Sequence, residues 1–243
     1  MEYRQLIPFS AWILGACLCA LNAVPMQAKD HKPIRLGTQD LPPYQMFQDG
    51  KITGLAVERV KCALDGLGDP YEIHMISWSQ AQLQTQNGDL DGFFVGSKNA
   101  SRAKYATTSD PVISEDLVWF MAKGGDIDPN DPADALRARF SAKFSTSKWL
   151  QIKRNGYNVV KKPRDAESLL NMLMVGDIDV ALEYELIFEH YMVERGLEPN
   201  YFDRIPLRQQ ENNVHFSNSF LAANPLFLKR FNSNLSKCRI SGS

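Results

Sequence analysis

The chain has 243 residues, with 27 basic and 28 acidic side chains, a formal net charge of −1 and 44% hydrophobic residues. That near-neutral balance, with no basic run, argues against a nucleic-acid partner, and a composition without low-complexity stretches argues against a disordered chain. The length suffices for two modest lobes around buried cores.

The opening residues read as an export signal. Arg4 sits in a short basic start, and no charged residue follows from Gln5 through Ala28. Such a segment is not part of the fold. Cleavage is expected after Ala28. Two alternatives stay open: an uncleaved anchor, since the uncharged stretch could reach across a bilayer, and a lipoprotein signal at Leu14-Gly15-Ala16-Cys17. Cleavage would remove Glu2 and Arg4, one charge of each sign, so the balance would stay at −1. It would also remove Cys17 and Cys19, leaving Cys62 and Cys238. Two cysteines in predicted helices of an exported chain are candidates for one disulfide, with two buried thiols as the alternative.

Ile34–Thr38 is predicted as a strand, followed by the turn Leu41-Pro42-Pro43-Tyr44 and a hairpin-like turn at Asp49-Gly50. Val60, Ala63, Leu64 and Leu67 keep helical spacing, closed by Gly66 and Gly68. Tyr71, Ile73 and Met75 alternate as a strand. Ser77 or Ser79 then caps a helix that stops at Asn87-Gly88, and Asp89–Val95 is the next strand. After a strand at Leu117–Ala122 the pattern restarts. Asp131 caps a helix with Pro132 at its first position. Phe140–Phe144 is predicted as a strand, Ser147–Arg154 as a helix closed by Gly156, and Val159-Val160 as another strand. Asp165 caps a helix through Met174, ended by Gly176. Ile178–Leu182 is again a strand and Glu185–Glu194 a helix closed by Gly196.

Asn87-Gly88-Asp89-Leu90-Asp91 and Val175-Gly176-Asp177-Ile178-Asp179 share a helix-ending glycine, two aspartates and a following apolar strand. Two similar α/β units therefore lie in one chain. Alternating strands and helices argue for two parallel sheets facing each other, with ligand between the carboxyl ends of their strands.

At this point the chain resembles the bacterial periplasmic solute-binding proteins of the polar amino acid type. The resemblance rests on Gly37-Thr38 before Pro42-Pro43-Tyr44, on Gly54, and on Gly88-Asp89-Leu90-Asp91-Gly92. Ser97, Ser101-Arg102-Ala103-Lys104-Tyr105-Ala106, Ser109-Asp110-Pro111 and Gly176-Asp177-Ile178-Asp179 extend it. It implies a two-lobed α/β fold of the periplasmic-binding-protein type, with the second lobe inserted into the first and two hinge strands. Residues 1–28 are then the signal, 29–118 the first part of lobe 1, 119–212 lobe 2 and 213–243 the return to lobe 1. The resemblance implies a monomer in the periplasm that delivers a small carboxylate-bearing solute to a membrane transporter or sensor, with no metal and no cofactor.

It also implies the site. Arg102 would hold the ligand carboxylate, since a planar guanidinium meets a carboxylate with two parallel bonds. Ser97 would supply a hydroxyl and backbone amides. Tyr44 and Trp78 would be aromatic walls, and Ser145 and Thr146 would help hold the carboxylate from lobe 2. Phe144 replaces a glycine of that turn and narrows the space. Tyr184 stands where family members carry the aspartate that pairs with the ligand's ammonium, and a phenol cannot replace that charge; Glu183 and Glu185 flank it as substitutes. The last helix returns to lobe 1, which would bring Cys238 to Cys62. Two further readings stay open: a hydro-lyase of the cyclohexadienyl dehydratase type, using Glu183 or Glu185 as its acid, and a protein-interaction module with a degenerate cleft. The scattered histidines His31, His74, His190 and His215 lack metal-ligand spacing.

Overall fold

The computed structural model describes residues 1–2 and 32–239. The expectations for the export signal, cleavage after Ala28 and Cys17 lie outside the described residues.

Nine strands and eight helices alternate in this part of the chain. The first set is β1 (Ile34–Thr38), the hairpin β2 (Met46–Gln48) and β3 (Lys51–Thr53), α1 (Leu55–Asp65), β4 (Tyr71–Met75), α2 (Trp78–Asn87) and β5 (Gly92–Gly96). Gly54 enters α1 at φ 119°, and a Cβ there would lie 2.5 Å from the Tyr44 carbonyl oxygen, so no other residue fits the turn. Ser77 caps α2 in a reciprocal box with Gln80, and Gly88 closes it in the left-handed region. A long strand, β6 (Ala106–Ala122), leads to the second set: α3 (Pro132–Arg137), β7 (Phe140–Ser141), α4 (Ser147–Arg154), α5 (Ala166–Met174), β8 (Val180–Tyr184) and α6 (Glu185–Glu194). The chain returns along β9 (Phe202–Ser217) and ends in α7 (Asn218–Ala223) and α8 (Phe227–Leu235).

The strands form one seven-stranded mixed sheet in the order β4-β1-β5-β9-β6-β8-β7, not two separate sheets. The expected parallel pairs are present on each flank, β4 with β1 and β1 with β5 on one side and β7 with β8 on the other. The two sides fuse because β6 and β9 run antiparallel to each other along nearly their whole lengths and belong to both. These two strands are the hinge pair of a two-lobed α/β fold. Two expected strands are shorter than their apolar runs: β7 stops at Ser141, and Val159 makes only an isolated bridge to Phe140.

The internal repeat has a structural counterpart. The Asp91 carboxylate accepts the Arg35 backbone N–H at 2.8 Å, and the Asp179 carboxylate accepts that of Arg139 at 2.7 Å. Each aspartate also pairs with the guanidinium of the same arginine, at 3.6 Å and 2.5 Å. The second aspartate of each unit thus pins a helix-ending turn to the start of the neighbouring strand. Arg35 and Arg139 begin corresponding strands, so Gln39, just past β1, and Lys143, just past β7, are corresponding positions at the strand ends. The Cys62–Cys238 disulfide ties α1 to the segment just past α8, with Cα atoms 6.0 Å apart; Cys238 lies three residues beyond the end of α8 rather than in a helix as expected.

Candidate functional site

The carboxyl ends of the parallel strands converge on a closed-down cavity of about 30 Å³, room for about one water, so the cleft must open to admit a solute. A wider opening leads into it, walled by Asp40, Ser77, Phe144, Ser145, Arg164 and Asp165. Gln39, Trp78 and Lys143 belong to both.

Arg102 sits on a single 3-10 turn between β5 and β6 and is only 4% exposed. Its Nη1 donates to the Ser97 carbonyl at 2.6 Å and its Nε to Gln82 Oε1 at 3.0 Å. The guanidinium lies over the Trp78 ring, 4.9 Å from its centroid. Asn99 Oδ1 caps the turn by accepting the Arg102 backbone N–H at 2.9 Å. These contacts fix the fork in one orientation without neutralising it. Burial lowers its pKa to about 10, so it stays protonated at neutral pH. Trp78 Nε1–H has no protein partner, although the ring is buried.

The opposite wall comes from the second set of elements. Lys143 follows β7, and Thr146 caps α4 by accepting the Trp149 backbone N–H while its own hydroxyl donates to the Lys143 carbonyl at 2.6 Å. Ser145, at φ 61°, makes the left-handed bend between them. Two contacts cross the cleft and hold it shut. Lys143 Nζ donates to Gln39 Oε1, and Asn99 Nδ2 donates to Ser147 Oγ at 3.0 Å. Lys143 is 6% exposed, and burial lowers its pKa to about 8, with Lys148 adding to that effect and Glu183 opposing it.

Behind the cavity lies a buried polar cluster. Lys148 pairs with Glu183, which has no exposed surface, and lies 3.9 Å from the Tyr184 ring centroid. The Tyr184 hydroxyl donates to Asn212 Oδ1 at 3.5 Å, and Asn212 Nδ2 donates to Glu115 Oε1 at 3.1 Å. Burial pushes the Glu115 carboxyl up to about 8, against the attraction of Lys148.

Of the residues expected from sequence, Trp78, Ser97, Arg102, Thr146 and Tyr184 line the cavity. Ser145 lines the outer opening instead. Ser97 also engages Arg102 through its carbonyl, the acceptor a guanidinium needs. Two expectations need correction. Tyr44 is buried in the core beside Glu115 and is no wall of either space, because its loop turns inward against α1. Neither proposed substitute for the missing aspartate is free: Glu183 is held by Lys148, and Glu185 is held by Arg204 at 2.9 Å. Phe144 packs edge-on against Trp149, 5.0 Å between centroids, at the outer opening. Gln39, Lys143, Lys148 and Asn212 also line the cavity and were not foreseen.

A family model described as bacterial extracellular solute-binding proteins, family 3, matches residues 34–243. No curated protein sequence matches. Among solved structures, the arginine-bound form of truncated ArgBP from T. maritima superposes with a TM-score of 0.68 at 17% identity, covering 84% of this chain and 95% of that one. The arginine-, lysine-, histidine-binding protein ArtJ from Geobacillus stearothermophilus gives 0.67 at 18%, covering 85% and 89%. A histidine kinase sensor domain with similarity to periplasmic binding proteins gives 0.72 at 19%, covering 85% and 90%. At these identities the likeness is one of fold.

Proposed function

The chain belongs to the bacterial extracellular solute-binding proteins of family 3, and we propose from that membership that it closes on a small carboxylate-bearing, amino-acid-like solute. Delivery is to a membrane transporter or to a sensor. The observation that carries this reading is Arg102: a buried, rigidly oriented guanidinium lining a cavity, with no carboxylate partner among the described residues. A buried charge of that kind is normally paired. The binding proteins ArgBP and ArtJ, of like fold, support an amino-acid-like ligand, and the sensor domain supports the sensor as an alternative recipient. We assign residues 29–118 and 213–243 to lobe 1, 119–212 to lobe 2, and residues 1–28 to an export signal that takes the chain to the periplasm. Binding rather than catalysis is favoured because Glu183 and Glu185, the acids named for a hydro-lyase, are engaged in ion pairs, and Glu115, whose carboxyl is raised to about 8, is not part of the cavity lining. Among the described residues no helix is long and apolar enough to cross a membrane.

A thermal-shift screen of amino acids, dicarboxylates and small aromatic acids tests the reading, because a ligand at 100 times its Kd stabilises the folded state by about 2.7 kcal/mol. With the best ligand, Arg102→Ala is expected to lose about 1.5–3 kcal/mol of binding by calorimetry, the range for charged hydrogen bonds. An unchanged affinity removes Arg102 from the site. No shift with any carboxylate favours the interaction module instead.

A further inference from the structure

The residues that line the inner cavity carry three cations, Arg102, Lys143 and Lys148, and include no aspartate or glutamate. Lys148 is neutralised from behind by Glu183. Among the described residues, neither Arg102 nor Lys143 has an ion-pair partner. Arg102 is held by a carbonyl and an amide, and Lys143 by the amide oxygen of Gln39. Glu183, Asp165 and Asp40 attract Lys143 without contacting it, the two aspartates from the outer opening. Two positive charges without a contacting carboxylate are therefore buried in one small space, one from each side of the hinge strands. Burying a charge without a contacting counter-charge is unfavourable, and desolvation lowers the proton affinity of both groups.

We propose that the cleft takes a short dicarboxylate without an ammonium group, one carboxylate on Arg102 and the other on Lys143, where it displaces the Gln39 amide. This rests on the reading that Arg102 holds a carboxylate. A zwitterion would leave the lining with its full excess of positive charge and set an ammonium among cations, with only the Tyr184 phenol where an anion is needed. A monocarboxylate would compensate Arg102 and leave Lys143 on a neutral amide. A dicarboxylate satisfies both, and it makes a charged bond to each side of the cleft, so the second carboxylate is what ties the closed form together.

Calorimetry on the mature chain, with dicarboxylates of about three to six carbons and the monocarboxylates and amino acids of matching length, tests this. The best dicarboxylate is expected to bind at least about tenfold tighter than its monocarboxylate, a difference of about 1.4 kcal/mol. Lys143→Gln should bring the dicarboxylate to the affinity that the monocarboxylate shows for the same variant, while Lys143→Arg should retain the preference. Thermal melting confirms that both variants fold; removing an unpaired buried charge should not lower the transition. Equal affinities in the wild type, a preference that survives Lys143→Gln, or an amino acid that binds tighter than the dicarboxylate would each overturn the proposal while leaving the Arg102 reading intact. Failure of every carboxylate to bind would overturn both.

Discussion

Glu115 is enclosed in the middle of β6, where the two hinge strands cross between the lobes, and its proton ties stability to pH. Burial holds its pKa at about 8, whereas an unfolded glutamate titrates near 4.3. The folded chain therefore binds more protons than the unfolded chain between those values. The stability this group contributes is complete below about pH 4.3 and is lost as pH rises through 8. Lys143 acts in the next window. Its folded pKa of about 8 lies below the unfolded value near 10.4, so its contribution is present above about pH 10.4 and lost as pH falls through 8. The two slopes meet near pH 8. Buried His215, held down to about 3 by desolvation, adds stability that is present above about pH 6.5 and lost as pH falls, so it opposes Glu115 below that value. Unliganded protein is therefore expected to lose stability between about pH 6.5 and 8 and to show a minimum near pH 8. Urea titrations at pH 6.5, 8 and 10 check this, with Glu115→Gln flattening the limb between pH 6.5 and 8; a variant that keeps the wild-type slope would acquit Glu115. Arg102 was singled out in the sequence through the resemblance that Ser101-Arg102-Ala103 carries, and it lies in the cavity lining. Lys143 and Glu115 were not, since a lone Lys or Glu is nearly always a surface residue and only the tertiary fold buries these two.

The carboxyl-terminal helix α8 shows how one element is held. Phe231 is fully buried and meets Phe216 of β9 edge-on at 5.0 Å, while Phe227 meets the same ring at 4.9 Å. Arg230 and Asn234 reach back to the Leu67 and Ala63 carbonyls beside α1 at 2.9 and 3.3 Å. Phe231→Ala is expected to destabilise the protein by about 3–5 kcal/mol in urea, the range for emptying a large aromatic site. Affinity for the cleft ligand should change little, because none of these residues lines the cavity. The helices were readable in advance: α4 and α6 have their expected boundaries, and Asp131 and Asp165 accept the N-terminal amides that caps of their kind should. Of the hinge strands, only the second half of β6, Leu117–Ala122, was read from the residues; the pair itself came with the family resemblance. The first half of β6 contains Pro111, and β9 contains Pro206 within a largely polar run, and neither feature signals a strand. Both prolines sit where the β6–β9 register shifts, so the ladder tolerates a missing N–H there. Polar residues dominate the middle of β9 because it passes between lobes rather than through a core, which erases the period on which strand prediction depends.

For the whole molecule, the Cys62–Cys238 bond closes a loop with a sequence separation of 176, yet joins α1 to the segment that follows α8, on one side of the hinge. In the chain-entropy account a closure of that length stabilises the fold by up to about 5 kcal/mol. Reduction is therefore expected to lower the melting transition without altering ligand affinity, as calorimetry with and without reductant would show; a loss of affinity on reduction would mean that the bond reaches into the cleft's geometry. The two-unit plan of the chain was foreseen from the Gly-Asp repeat, whereas the fusion of both units into one sheet required the unforeseen course of β9. The same bond also makes most of the polypeptide a covalent ring. A protease that cuts one peptide bond anywhere between the two cysteines opens that ring and releases nothing. Nicked protein should therefore migrate as a single full-mass band in a denaturing gel run without thiol and as two fragments once thiol is added, so a single cut would leave both halves tethered and able to re-form the clamp.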